Sequence, residues 1–364
     1  MRSVRAVVVE TVPGGPTLST VEVDEPGLGE VLVRTVATGV CHSDIHAMHG
    51  TGMAFPTPFV LGHEPAGVVE AVGAGVRRFR PGDHVVACLS AFCGHCDKCV
   101  TGRTYQCFTD EFARGASDAP RLSRGDATMH QFVGLGGFAE LMLVGQNNLV
   151  KIRDDMPLQR ACLLGCGVLT GVGAALNTAQ VEAGSTVAVI GVGGVGLSVV
   201  QGARIAHAST IVAVDVDDEK LALASKLGAT ATVNAMTDDA VASVVDLTGG
   251  GADYVFEAIG NPTTVQQGLA MAGMRGVLTV VGIMDLSATF TVSGVDMVMG
   301  KRVQQSMMGS NRFVADIPGL VDHYLAGRLD LDGLVSATAS LDEVPTVLRD
   351  LEAGRVLGRT VITF

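Results

Sequence analysis

Four of the eight cysteines crowd into one short stretch, Cys93, Cys96, Cys99 and Cys107, spaced C-x2-C-x2-C-x7-C. Zinc takes four tetrahedral ligands, and four thiolates close the site against any substrate, so this knuckle is expected to be structural. An iron–sulfur cluster is the rival reading. The bacterial ferredoxin run brings its fourth cysteine after three residues and follows it with proline, whereas here Cys107 comes later and Phe108 follows it. Clustered thiols in a long chain argue for metal rather than disulfides. Cys88 and Cys162 are expected to be buried thiols. Cys162 stands four residues before Cys166, which on a helix would put both on one face.

A second chemical signature is Gly191-Val192-Gly193-Gly194-Val195-Gly196, a G-x-G-x-x-G run. It follows an apolar strand-like run at 186–190 and opens a helical stretch, the context that gives the motif its meaning. Gly191 makes the tight turn, Gly193 lets the backbone approach a pyrophosphate, and Gly196 lets the helix pack on the sheet. Free N–H groups at the helix start then face the phosphate charge. Asp215 lies 19 residues past Gly196, at the end of the next strand. A carboxylate there accepts from a ribose 2′-hydroxyl and repels a 2′-phosphate, which favours NAD over NADP.

The elements that must position these residues change character along the chain. Up to about residue 166 the β-branched runs at 4–9, 31–36 and 68–72 are short and punctuated by Pro and Gly, which suggests an irregular, mostly antiparallel β-rich body. Beyond it, strands at 185–190, 210–214, 252–257 and 277–281 alternate with helical stretches such as 219–227, as in a doubly wound parallel sheet. Helices are expected at 317–325 and 341–351, and a last strand at 359–364 is expected to return to the first domain. The domains are therefore drawn as 1–167 with 309–364, and 168–308. The 364 residues, 48% hydrophobic and 17% charged, can bury a large core, and aromatics at 4% leave aliphatics to fill it. A net charge of −12 without a Lys/Arg cluster speaks against nucleic acid. No run of 18 apolar residues spans a membrane, and the apolar run at 6–9 is too short for a signal peptide, so a cytoplasmic location is expected.

Taken in order, Cys41-His42-Ser43-Asp44-Ile45-His46, Gly62-His63-Glu64, the four-cysteine knuckle, Gly165-Cys166-Gly167, the glycine motif and Arg359-Thr360-Val361-Ile362 resemble the zinc-containing alcohol dehydrogenases of the medium-chain dehydrogenase/reductase superfamily, over essentially the whole chain. The resemblance implies a GroES-like β-rich catalytic domain, a Rossmann cofactor domain and two zinc ions per chain. It implies Cys41, His63 and Cys166 as ligands of a catalytic zinc with an open fourth position. Asp44 would hold the other nitrogen of His63, and Glu64 would approach the metal from behind. Ser43 and His46 would carry the alcohol proton to solvent, a task that suits a histidine's titration range. His42 and Arg359 match pyrophosphate contacts, and Lys220 an adenosine-ribose contact. Thr170, Val281 and Ile283 are expected around the nicotinamide, with Gly194 and Val195 inside the phosphate turn.

The expected reaction is hydride transfer between an alcohol and NAD. Leu89, Met53, Ala54, Phe55 and Phe138 are expected near the substrate, and their apolar character suits a hydrophobic alcohol better than a polyol. Glutathione-dependent formaldehyde dehydrogenases resemble this chain too, but they carry an arginine four residues past the last knuckle cysteine. Here that position is Glu111, with Arg114 three further on. The long insert at 110–131 resembles that of dimeric members, so a dimer is expected. Two other readings stay open: a nicotinoprotein whose NAD remains bound, and a non-enzymatic NAD-binding redox sensor.

Overall fold

A computed structural model describes every residue except Gly52, Met53, Phe108, Asp110 and Ala116. Of the residues expected near the substrate, Met53 therefore lies outside the described residues, as does Asp110 at the head of the insert. The chain forms two compact units: Met1–Cys166 with Arg312–Leu325 and Val335–Phe364, and Gly167–Asn311 with Ala326–Leu334.

The first unit combines a closed barrel with a seven-stranded sheet. The barrel runs through Arg2–Val9, Pro16–Val23, Leu122–Arg124, Ala127–Gln131 and Phe59–Val60. Its core is aliphatic, with Val4, Ala6, Val8, Val21, Val23, Leu32 and Leu143 buried together. The sheet is centred on Glu30–Gly39, which pairs antiparallel with Glu64–Val72 on one side and with Arg359–Thr363 on the other. Registers on this strand set up the site: Gly39 faces Glu64 across one ladder and Val361 across the other. The C-terminal strand thus returns to the N-terminal sheet, 320 residues away in sequence, where its adjacent Val361 and Ile362 point to opposite faces and are both fully buried.

The second unit is a six-stranded parallel sheet. Its order is Ala231–Asn234, Thr210–Asp215, Thr186–Ile190, Ala252–Glu257, Ala272–Val280 and Arg302–Gln305. The inner strands Thr210–Asp215, Thr186–Ile190 and Ala252–Glu257 read as largely apolar runs because helices such as Gly194–Ile205 and Pro262–Met271 pack on the sheet, whereas the edge strand Arg302–Gln305 is polar. Asp217 caps Asp218–Leu227 by accepting from the N–H groups of Glu219 and Lys220, and Gly228 follows the helix.

Three sequence expectations need correction. The stretch 326–334, expected in the first unit, packs with the second. The Gln201 amide donates to the Asp330 carbonyl at 3.0 Å and accepts from the Asp330 N–H at 2.7 Å, while Leu329, Leu331 and Leu334 are buried. The helix expected at 341–351 is a 3₁₀ turn, Leu341–Glu343, leading into Val344–Glu352, because Pro345 fits only a first turn. Cys162 and Cys166 do not share a helix face: the 3₁₀ turn Cys162–Gly165 ends at Cys166, whose backbone (φ −144, ψ −77) leaves the helix.

Candidate metal centre and nucleotide site

The ligand atoms of Cys41, His63, Glu64 and Cys166 lie within 4.8 Å of one another, and all four residues are buried. Each comes from a different kind of local structure. Cys41 is the N-cap of the helix His42–His49, in extended conformation. His63 follows Gly62, whose φ of +90° turns the chain, and a Cβ there would reach within 2.4 Å of the Phe138 nitrogen. Glu64 begins the strand Glu64–Val72. Cys166 follows Gly165, which presses so close to the strand His84–Ala87 that a Cβ would stand 2.4 Å from the Ala87 carbonyl oxygen.

Asp44 organises two of these residues at once. One carboxylate oxygen accepts from the Cys41 N–H at 3.1 Å and the other bonds Nδ1 of His63 at 3.1 Å. The histidine therefore turns Nε2 toward the two sulfurs, and that buried nitrogen has no hydrogen-bond partner among the described residues. A buried nitrogen left bare is costly unless something occupies it, and a cation is what two thiols and an imidazole accept. The same contacts redistribute protons within the cluster, and a bound cation would displace those on Nε2 and the sulfurs. Cys41's thiol is lowered well below the usual range by its hydrogen bond to Cys166, and Cys166 is raised in turn by the same pair. Burial opposes a charged His63, but Asp44 beside it outweighs burial and holds the ring well above its ordinary value. The residues fit a zinc ion.

Arg359 reaches this centre from the C-terminal strand. Its guanidinium donates to Glu64, and both side chains are buried. Burial raises Glu64, with Arg359 pulling it back. At least one face of the Arg359 guanidinium is thus committed to a carboxylate rather than to a phosphate. Ser43 is half-buried, with its hydroxyl oxygen 3.8 Å from the Cys41 sulfur, and His46 lies one turn on, also half-buried. His42 is exposed.

The knuckle closes as its spacing suggests. Sulfur–sulfur distances of 3.6 Å (Cys96–Cys107), 3.6 Å (Cys93–Cys107) and 3.9 Å (Cys93–Cys99) match the edge of about 3.8 Å that a zinc–sulfur tetrahedron requires. Backbone N–H groups of Cys93 and Cys96 donate to sulfurs of Cys107 and Cys93, each at 3.3 Å. Such donors favour thiolates: Cys96 is lowered to about 7, chiefly by a backbone N–H, while burial pushes Cys107 up to about 12. Four sulfurs this close do not all ionise without a cation between them. Among the described residues these are the two clusters able to hold a metal. Cys88, pushed up to about 11 by burial, and Cys162, raised for the same reason, stand apart as inert buried thiols.

In the second unit the glycine turn has the shape its spacing implied. Gly191 sits at φ +83°. A Cβ at Gly196 would fall 1.9 Å from the Gly191 carbonyl oxygen, so only glycine lets this helix approach its strand. At Gly193, the N-cap of Gly194–Ile205, a Cβ would meet nothing within 4 Å, so the space above this backbone is open, as a pyrophosphate requires. Val195 follows within the first turn of that helix. Asp215 accepts from the Val192 N–H at 2.8 Å with one oxygen and from the N–H groups of Val216 (2.8 Å) and Asp217 (3.3 Å) with the other. Its carboxylate is therefore fixed against the glycine turn. Lys220 is half-buried on the following helix. Val281 is buried and Ile283 is 63% exposed, so the two do not form one packed surface. The Thr170 hydroxyl donates to Met308 sulfur at 3.7 Å. These features fit a dinucleotide.

Of the apolar residues expected near substrate, Phe138 is fully buried core, packed with Phe59, Leu61 and Ile362. Phe55 is half-buried and meets Phe132 edge-on at 4.9 Å; Phe132 in turn meets the His63 ring edge-on at 5.4 Å. Phe132 is the residue sequence reasoning missed. It sits in an irregular 3₁₀ turn, and no spacing rule marks it.

A fixed thiol–imidazole metal set and a glycine turn built for phosphate together describe a metal-dependent dehydrogenase. Family models agree: residues 27–154 match the alcohol dehydrogenase GroES-like domain, and 194–325 the zinc-binding dehydrogenase domain. The chain is 38% identical to an alcohol dehydrogenase class-3 of Drosophila melanogaster, over 94% of this chain and 93% of that one. It is 37% identical to an S-(hydroxymethyl)glutathione dehydrogenase of Escherichia coli O1:K1, over 97% of each. The crystal structure of benzyl alcohol dehydrogenase from Acinetobacter calcoaceticus superposes with a TM-score of 0.92 at 34% identity, covering all of both chains. The chain belongs to the zinc-containing alcohol dehydrogenase family, and it is an oxidoreductase with the GroES-like and Rossmann folds.

Proposed function

We propose that this enzyme interconverts hydrophobic alcohols with their aldehydes or ketones, using NAD. The carrying observation is the buried set of Cys41, His63 and Cys166, with Nε2 of His63 held bare by Asp44. These three would hold the catalytic zinc, and Cys93, Cys96, Cys99 and Cys107 a structural one. Bound there, zinc supplies Lewis-acid polarisation of the substrate oxygen, and the dinucleotide supplies the hydride acceptor. Asp44 keeps the imidazole in the tautomer that presents Nε2. The Ser43 hydroxyl would take the proton of the substrate alcohol while passing its own to the ribose hydroxyls of the dinucleotide, which hand it to His46 for release to water. Gly191, Gly193, Gly194, Val195 and Gly196 shape the phosphate turn. His42 and Arg359 are assigned to the pyrophosphate, Arg359 through the donors that Glu64 leaves over, and Lys220 to the adenosine ribose. Thr170 and Val281 are assigned to the nicotinamide side. Asp215, fixed by three backbone N–H groups, supports NAD over NADP, since a 2′-phosphate would meet a carboxylate that cannot turn away.

For the substrate, the relatives offer two directions: a glutathione adduct in the Escherichia coli enzyme's name, and benzyl alcohol in the Acinetobacter enzyme's. The second is better supported here. Glu111 stands where an adduct-binding arginine is expected. Arg114, the nearby alternative, is spent inside the fold, donating to Glu30, Asp24 and the carbonyls of Glu25 and Ala119 at 2.6–3.2 Å. Buried Phe132 meets the His63 ring and half-buried Phe55 packs on Phe132 instead, an apolar flank to the metal ligands that supports an apolar substrate over an anionic adduct. The reading includes a homo-oligomer, a dimer by preference, and light scattering on the purified protein checks it.

The test is a panel of benzyl, allyl and aliphatic alcohols and S-(hydroxymethyl)glutathione, each with NAD and NADP, beside zinc analysis of the same preparation. The expected result is two zinc ions per chain and the highest kcat/KM for an apolar alcohol with NAD. A single zinc, or turnover confined to the glutathione adduct, overturns the corresponding part.

A further inference from the structure

Gly39 ends the central strand of the first unit and lies directly opposite Glu64 in the antiparallel ladder. Its φ is not in the left-handed region, so the backbone here does not call for glycine. Glycine inside a strand is unfavourable in itself and marks a place where something else needs the volume. That volume is occupied by one side chain. A Cβ at position 39 would stand 2.1 Å from Oε2 of Glu64, 3.1 Å from its Cδ and 3.3 Å from its Cβ. A flexible carboxylate elsewhere would swing aside at little cost. This one is fully buried, belongs to the cluster of Cys41, His63 and Cys166, and has Arg359 fixed on its other oxygen.

We propose that Gly39 is a positioning residue of the catalytic metal centre, its missing side chain being what holds the Glu64 carboxylate between Arg359 and the metal ligands. The strand order explains why position 39 has this power. Glu64 starts the strand on one side of Gly39, and the strand beginning at Arg359 runs on the other side. The two partners of the ion pair therefore meet across the end of the Gly39 strand, and one methyl group there acts on their contact directly. A carboxylate displaced from the centre removes negative charge from beside the bound cation, so the catalytic ion should be held less well while the knuckle is untouched.

The experiment is a double-mutant cycle of Gly39→Ala and Glu64→Ala on the zinc-loaded protein, read by the rate at which a chelator removes each of the two zinc ions. The absorption spectrum of cobalt exchanged into the catalytic site is the second readout. Gly39→Ala should lose the catalytic zinc at least tenfold faster than wild type, keep the knuckle zinc, and shift the cobalt bands. In the Glu64→Ala background the added methyl should change neither the rate nor the bands by more than about twofold, since the space is then vacant. If Gly39→Ala fails to fold while the double variant folds, the cycle still supports the proposal, because relief comes from removing the carboxylate. Wild-type retention and spectrum in Gly39→Ala overturn it. So does an equal defect with and without Glu64, or failure of both variants to fold, because the methyl would then act on the strand alone. Neither readout depends on turnover, so the outcome is separate from the choice of substrate or dinucleotide.

Discussion

Asp44→Asn is the most discriminating change for the metal centre because its effect follows from a count of donors and acceptors. Asp44 is fully buried, and its two oxygens each accept one bond, from the Cys41 N–H and from Nδ1 of His63, both at 3.1 Å. Asparagine has almost the same shape but only one acceptor, and its amide nitrogen must face one of those two donors. Two outcomes are available. If the oxygen serves Cys41, the His63 ring loses its orienting partner. If the oxygen serves His63, the N-terminus of the helix His42–His49 loses its cap. A buried donor left facing a donor costs about 1–3 kcal/mol, and loss of the partner behind a ligating histidine typically weakens metal binding about 10–100-fold. That range corresponds to about 1.4–2.7 kcal/mol, so the two estimates agree. Competitive chelator titration of purified Asp44→Asn, following the two zinc ions separately, should show the catalytic ion bound about 10–100-fold more weakly and the knuckle ion unchanged. Near-wild-type affinity at the catalytic site would refute the argument that Asp44 presents Nε2 to the metal. Equal weakening at both sites would point to a global folding defect instead.

Two further outcomes follow. Burial pushes the Glu30 carboxylate up, but hydrogen bonds from Arg114 and Arg121 pull it down further, to a net value below its ordinary 4.5. A carboxylate lowered by folding stabilises above its unfolded value and loses that contribution as pH falls through the folded one. Glu30→Gln should therefore melt several degrees below wild type at pH 7, with the gap narrowing below pH 4.5; a gap independent of pH argues against the ion cluster as its cause. For the proton path, His46→Gln should slow alcohol oxidation most below neutral pH, and a pH–rate profile superimposable on wild type removes His46 from that role.

The legibility of this protein in its sequence follows contact range. The knuckle spans 15 positions and the glycine turn six, so backbone geometry alone brings their groups together, and spacing reports the chemistry. The ends of the parallel strands were equally readable, since the buried runs 187–190 and 211–214 are apolar throughout and stop at Gly191 and Asp215. Short barrel strands such as Pro16–Val23 escaped notice because a half-exposed strand punctuated by polar residues has no marked pattern.

What only the tertiary structure decided is who meets whom at long range. Residue types named Cys41, His63 and Cys166 as candidates through a family pattern, but their meeting depends on sheet registers and on the close approach that Gly165 permits. The commitment of Arg359 to Glu64, the capture of Arg114 by Glu30 and Asp24, the seating of Phe132 against His63 and the reserved volume at Gly39 left no trace in local sequence. An arginine or a glycine reads the same on the page whether it faces phosphate, carboxylate or solvent. Short-range order is written by propensity and spacing, whereas pairing across hundreds of residues is settled only when the packed sheets bring each buried charge within reach of an opposite one.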